Sequence, residues 1–144
     1  MTNANDGTGP KEASGKEPEP LPAEALDAQA FGRLAELEAL SPGFLAELLV
    51  EFERGVEQRI QALREALASG NTEAIATNAH GMRGSTSTLG AMRMTILANR
   101  LEYDQPTLSE AHDLVSRIEA EYAVAKRALA AAVAKAAQKD PSST

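Results

Sequence analysis

Residues 42–69 read PGFLAELLVEFERGVEQRIQALREALAS, and the spacing of their apolar side chains decides the fold. Leu45, Leu49, Phe52, Val56, Ile60, Leu63 and Leu67 recur at three- and four-residue steps. That period draws one continuous apolar stripe along a long helix, the face a helical bundle buries. Ser41 reads as the N-cap, and Pro42 suits the first helical position, where its missing N–H costs nothing. Gly70 follows the last turn, where a left-handed residue closes a helix.

Working outward, the same period continues on both sides. Towards the N-terminus a short first helix spans about Ala23 to Leu40, with Leu26, Ala30, Leu34 and Leu37 in step. Beyond Gly70, a third helix runs from about Thr72 to Leu89, capped by Asn71 or Thr72, with Glu73 in its first turn. Its inner stripe is Ile75, Ala79, Met82, Thr86 and Leu89, and Gly90 breaks it. A fourth helix, about Ala91 to Tyr103, turns in Met94, Leu97, Ala98 and Leu101. After the loop Asp104-Gln105-Pro106, a fifth covers about Thr107 to Lys135, with Leu108, Val115, Ile118, Tyr122, Leu129 and Val133 on one side. Alternating patterns and β-branched runs are absent, so the chain is read as all-α. Short connections make neighbours antiparallel. The expected fold is an up-and-down antiparallel four-helix bundle with a short N-terminal cap helix, the second and fifth helices projecting beyond the shorter pair. Residues 1–22, rich in Gly, Pro, Glu and Lys, are expected to be a disordered tail. The bundle is assigned to 23–137, and 138–144 to a second disordered tail.

Composition removes several function classes. The 144 residues carry a net charge of −7, which disfavours nucleic acid as a partner, because its phosphates demand Lys and Arg. Tryptophan is absent and aromatics are few, so no stacking platform for single strands is available. There is no cysteine, hence neither a disulfide nor a thiolate metal site. No apolar run approaches the roughly 18 residues that span a membrane. The start has no signal-peptide pattern. A cytoplasmic protein that uses neither membrane nor nucleic acid is expected.

The third helix carries the chemistry. His80 is one of two histidines, and Gly81 and Gly84 flank it although glycine costs a helix about 1 kcal/mol relative to alanine. On a helical projection at about 100° per residue, His80 lies roughly 140° from the centre of the inner stripe, Gly84 about opposite it and Ser87 roughly 120° away. The imidazole is therefore expected to face solvent, with Gly84 one turn on clearing the approach to it. Arg83, at i+3, adds a permanent cation whose planar fork suits phosphoryl oxygens. An imidazole in water titrates near about 6.5 and is largely neutral at pH 7, so it is a competent nucleophile that can hold a covalent intermediate. Ser87 offers a hydrogen bond from the same face. No general base or metal ligand is readable near His80, so a partner must bring an activated phosphate and its Mg²⁺. His112 sits near the edge of the fifth helix's stripe with no motif around it, and is read as incidental. No Ser/His/Asp arrangement and no Glu-x-x-His pair supports hydrolase or metal chemistry.

The run Ala79-His80-x-x-Arg83-Gly84-Ser85-x-x-x-Leu89-Gly90 resembles the phosphoacceptor motif of histidine-containing phosphotransfer (HPt) domains. That motif has alanine and histidine, a lysine, then glycine and a small residue, with a small residue closing the helix. Ala66 to Glu73 resembles the family's turn before that helix, and Ser41 to Leu45 its start of the long helix. The resemblance covers about residues 25 to 135. It implies that His80 is the phosphorylated residue, that Arg83 stands in the lysine's place, and that Gly84 lets a receiver domain dock. Arginine keeps the charge but is bulkier and forked. Gly81 stands where sensor kinases carry an acidic residue, and no ATP-binding segment is present.

The resemblance implies a phosphorelay intermediate that carries a phosphoryl group between receiver-domain aspartates through His80. It would be a phosphoryl carrier with no ATP site and no cofactor of its own. Its partners would be response-regulator receiver domains or a hybrid histidine kinase, with Mg²⁺ in the receiver, and the chain itself is expected to be a monomer. Two alternatives stand beside it. One is a non-catalytic helical interaction module with His80 unused. The other is a phosphoacceptor domain served directly by a histidine kinase catalytic domain.

Overall fold

Most of the apolar positions in the sequence stripes face the inside of the bundle, although Leu37 is 43% exposed. The computed structural model describes residues 20–138. Among them lie five helices: α1 (Ala28–Leu40), α2 (Phe44–Ser69), α3 (Thr72–Thr88), α4 (Met92–Tyr103) and α5 (Leu108–Gln138). No described residue is in a strand. The tails expected at 1–19 and 139–144 fall outside the described residues. The rest of those two expectations is corrected. Leu21 packs against the core, Arg93 Nε donates to the Pro22 carbonyl at 2.8 Å, and Gln138 belongs to α5.

α3 packs between α2 and α4, and α5 closes the ring against both of those. α1 lies over α2, α5 and α3 at one end. Short links reverse the chain at Gly70–Asn71, Leu89–Ala91 and Asp104–Thr107, giving the up-and-down arrangement. Every helix of the ring supplies the core. Val56, Leu63, Ala79, Met82, Leu97, Val115, Ile118 and Leu129 are fully buried. Each large aliphatic side chain so buried stabilises the fold by about 1.5–3 kcal/mol. Thr86, a polar side chain among them, is satisfied by the Thr95 hydroxyl at 2.7 Å and by the Arg83 carbonyl at 3.1 Å. Leu108, expected on the inner stripe of α5, is instead 43% exposed, because it stands at the open edge of the first turn. Among the described residues no helix is long and apolar enough to cross a membrane.

The ends of the helices follow local chemistry, with two departures from the sequence reading. Gly70 closes α2 at φ 67°, and the Asn71 side chain accepts from Ala74 N at 3.0 Å to cap α3, as the spacing indicates. α1, however, begins at Ala28 and not near Ala23. Asp27 is its N-cap, accepting from Ala30 N at 2.9 Å, while Asp27 N donates to Gly90 O at 2.7 Å. That bond draws the preceding residues off the helical path. It also explains Gly90, which adopts φ 83° and whose Cβ, if present, would stand 2.9 Å from the Asp27 carbonyl oxygen.

Ser41 is not the cap of α2. Gly43, at φ 93°, leads into that helix, and the Glu38 carboxylate reaches across from α1. It accepts from Gly43 N at 3.0 Å and Leu45 N at 2.9 Å, while Ser41 O takes Phe44 N at 3.0 Å to close the turn. The amides of Gly43 and then Leu45 hold the Glu38 carboxyl below the usual carboxylate range.

Candidate functional site

α3 turns Ile75, Ala79, Met82 and Thr86 inward, which fixes the outward direction of everything between them. His80 therefore stands on the surface, its side chain 63% exposed. Gly84 lies one turn on along the same face, and a Cβ built there meets nothing within 4 Å. The approach to the ring is open, as the helical projection indicates.

Beside α3 runs α4, whose inner face is spent on Met94, Leu97, Ala98 and Leu101. Its Asn99, Glu102 and Tyr103 fall on the edge that meets α3. Glu102 is the residue the sequence reading missed. Its Oε2 lies 2.7 Å from His80 Nδ1, so the imidazole does have a carboxylate partner. The signal was present only in the pairing of two helices, because 22 residues separate the two side chains. Glu102 is only 14% exposed, and its other oxygen lies 3.1 Å from Arg83 Nε. Those two atoms form an ion pair without hydrogen-bond alignment.

Arg83 is held on several sides. Nη1 donates to Asn99 Oδ1 at 2.9 Å, Nη2 reaches the Tyr103 hydroxyl at 3.5 Å, and the guanidinium carbon lies 5.2 Å over the Tyr103 ring. Nη2 also comes within 3.3 Å of His80 Nδ1. An imidazole nitrogen cannot donate to one group and accept from another at once. The shorter contact to a carboxylate decides the tautomer: Nδ1–H donates to Glu102, and the Arg83 contact is electrostatic. Nε2 is then the nitrogen with the free lone pair, and no described residue bonds to it.

Ser87 stands on this face, but its hydroxyl donates to Gly84 O at 3.1 Å, within its own helix, and not to the imidazole. At Gly81, α3 meets a side chain of α2. A Cβ there would run into the guanidinium of Arg59 from α2, which rests against the α3 backbone. Arg59 Nη1 donates to Asn78 Oδ1 at 3.1 Å, and Asn78 Nδ2 donates in turn to Ala74 O at 2.9 Å. His112 lies exposed on α5. Among the described residues, no group of three or more His, Cys, Asp or Glu is placed to hold a metal ion.

What the face can do follows from these parts. It presents one exposed imidazole held at Nδ1, a carboxylate that can neutralise charge developing on the ring, and a gap where another surface can sit. No match was found among curated proteins. Among solved structures, the chain resembles histidine-containing phosphotransfer protein B (HptB) from Pseudomonas aeruginosa PAO1, with TM-score 0.63 and 24% identity over 79% of this chain and 98% of that one. It also resembles the histidine-containing phosphotransfer domain of ArcB from Escherichia coli, with TM-score 0.66 and 21% identity over 78% of this chain and 95% of that one. These likenesses show a shared fold. The Hpt domain model matches residues 47–138, a span that holds His80, Gly84, Arg83 and Glu102 together, and so the chain belongs to the Hpt domain family.

Proposed function

We propose that this protein carries phosphoryl groups between receiver domains in a two-component phosphorelay, with Nε2 of His80 as the acceptor atom. Membership of the Hpt family supports a phosphotransfer role in two-component signalling. The observation that carries the finer reading is the 2.7 Å contact between His80 Nδ1 and Glu102; with Nδ1–H donating there, Nε2 is the nitrogen that keeps its lone pair.

The step balances as follows. The Nε2 lone pair attacks the phosphorus of an aspartyl phosphate on the donor domain. The N–P bond forms as the P–O bond to the aspartate breaks, and the aspartate leaves as a free carboxylate. The ring keeps its Nδ1 proton and becomes a cation, which Glu102 neutralises from 2.7 Å away. A charge-assisted hydrogen bond of this kind is worth about 1.5–3 kcal/mol. Transfer to a second aspartate reverses the same bonds. Arg83 fixes the near side of Glu102 and puts positive charge beside the reacting ring. Gly84 gives the partner surface room, and a Mg²⁺ brought by the partner would supply positive charge for the transfer. The chain acts as a carrier: it takes a phosphoryl group and returns it without turning over a substrate of its own.

The test is direct. Wild-type protein mixed with a receiver domain carrying labelled aspartyl phosphate takes up acid-labile label, and His80→Gln takes up none. Equal labelling of the two, or no uptake by the wild type from any receiver or kinase, would sink the reading and favour a helical module whose histidine is unused; uptake from a kinase catalytic domain alone would favour a directly served phosphoacceptor.

A further inference from the structure

Most arginines that line the seams of this bundle are neutralised at home. Arg64 pairs with Glu119, Arg83 with Glu102 at 3.1 Å and Arg93 with Glu121 at 3.2 Å. Arg59 is treated differently. No described carboxylate lies within 4.0 Å of it, and its one side-chain partner is the neutral amide of Asn78. Its guanidinium rests on α3 at Gly81, the residue next to the acceptor. It comes from the α2 side, whereas Arg83 belongs to the α4 side. The glycine is what allows this: with any Cβ at 81 the guanidinium would have to move. Lying low on the backbone, it leaves the gap above Gly84 open.

Charge gives this placement a purpose. The chain carries −7, and any domain that presents an aspartyl phosphate brings further negative charge to the encounter. Without a local cation the two surfaces repel. Arg83 is poorly placed to answer, since Glu102, Asn99 and Tyr103 already occupy it. Among the described residues Arg59 bonds only to the neutral Asn78 amide, which leaves its charge unanswered.

We propose that Arg59 is a docking cation, pairing with acidic side chains on the partner domain that delivers the phosphoryl group to His80. This rests on His80 being the acceptor. Arg59 does not touch the reacting atoms. It holds the partner at the α2 edge of the face, so its loss acts on encounter and not on the chemical step.

The experiment compares wild type, Arg59→Gln and Arg59→Lys, using a receiver domain phosphorylated with acetyl phosphate as donor. Phosphoramidate, which labels imidazoles with no protein partner, serves as a second donor. Arg59→Gln should raise the KM for the receiver about fivefold, the scale of one partly solvated charge pair, with kcat within about twofold. Its rate should depend less steeply on salt, and Arg59→Lys should recover most of the loss. Labelling by phosphoramidate and the Tm should match the wild type. An unchanged KM with an unchanged salt slope would overturn the proposal. So would a loss confined to kcat, or a parallel loss with phosphoramidate, because either places the effect on the ring itself. Should the wild type be labelled by phosphoramidate but by no receiver, the phosphorelay reading fails first and takes this one with it.

Discussion

An imidazole has two nitrogens, and when neutral only one keeps a lone pair while the other holds a proton. At His80 the choice is made by Glu102, 2.7 Å from Nδ1 and largely buried, with Arg83 and Asn99 holding the pair in place. Glu102→Gln tests this with little change of shape. The amide NH₂ can turn towards Nδ1, which moves the ring proton to Nε2 and hides the nucleophile. Phosphoryl transfer should slow about tenfold or more, the equivalent of one lost charge-assisted hydrogen bond. ¹⁵N spectra of the ring should show the proton changing sides, and a transfer rate equal to wild type would count against the carboxylate's role. His80, Arg83 and Gly84 were legible in the sequence because a helix projects them from one spacing rule. Glu102 was not, because its place depends on how α4 lies against α3, which no spacing within one helix encodes. Ser87 misled for the opposite reason: it shares the face, but its hydroxyl has a nearer acceptor in its own helix.

Between elements, the corner joining α1 to α2 is held by one carboxylate. Glu38 accepts from Gly43 N and Leu45 N, two of the amides a helix start leaves without partners. Its carboxyl sits below its ordinary value in the folded protein, owing first to the Gly43 amide. A group with a depressed folded value contributes stability that is full above its unfolded value and lost as pH falls through the folded one. Glu38→Ala should therefore lower the Tm at pH 7, and the difference from wild type should begin to shrink near about pH 4.3, where the unfolded-chain carboxyl starts to take up its proton, and fall further as pH drops through the lower folded value. Thermal melts at pH 7 and pH 3 check this, and a gap that persists at pH 3 would point to lost packing instead. The helices themselves were readable: the stripes of α3 and α4, the Asn71 cap and the Gly70 stop all appear as written. The ends that misled, at Ala23 and Ser41, are those where a distant group outcompetes the local signal. Gly90 O takes Asp27 N in one case, and Glu38 replaces the serine hydroxyl in the other.

For the whole molecule, the face that carries His80 depends on the core beneath it. α4 contributes Leu97 and Leu101 inward and Glu102 outward from neighbouring turns, so the register of the carboxylate is set by packing. Leu97 is fully buried, and Leu97→Ala should cost about 2–5 kcal/mol, a large share of the roughly 5–15 kcal/mol available to a domain of this kind. Urea denaturation followed by circular dichroism measures it, and a loss under about 1 kcal/mol would mean that the core closes over the gap. Every side chain that bonds to the imidazole, and those that brace it, lies between His80 and Tyr103, on one helical hairpin. The second helix packs along α3 through the core and holds Arg59, which reaches the hairpin's surface at Asn78 and Gly81. If Arg59 docks the partner as proposed, substitutions along α2 can change the partner while the bonds around His80, all within α3 and α4, stay as they are.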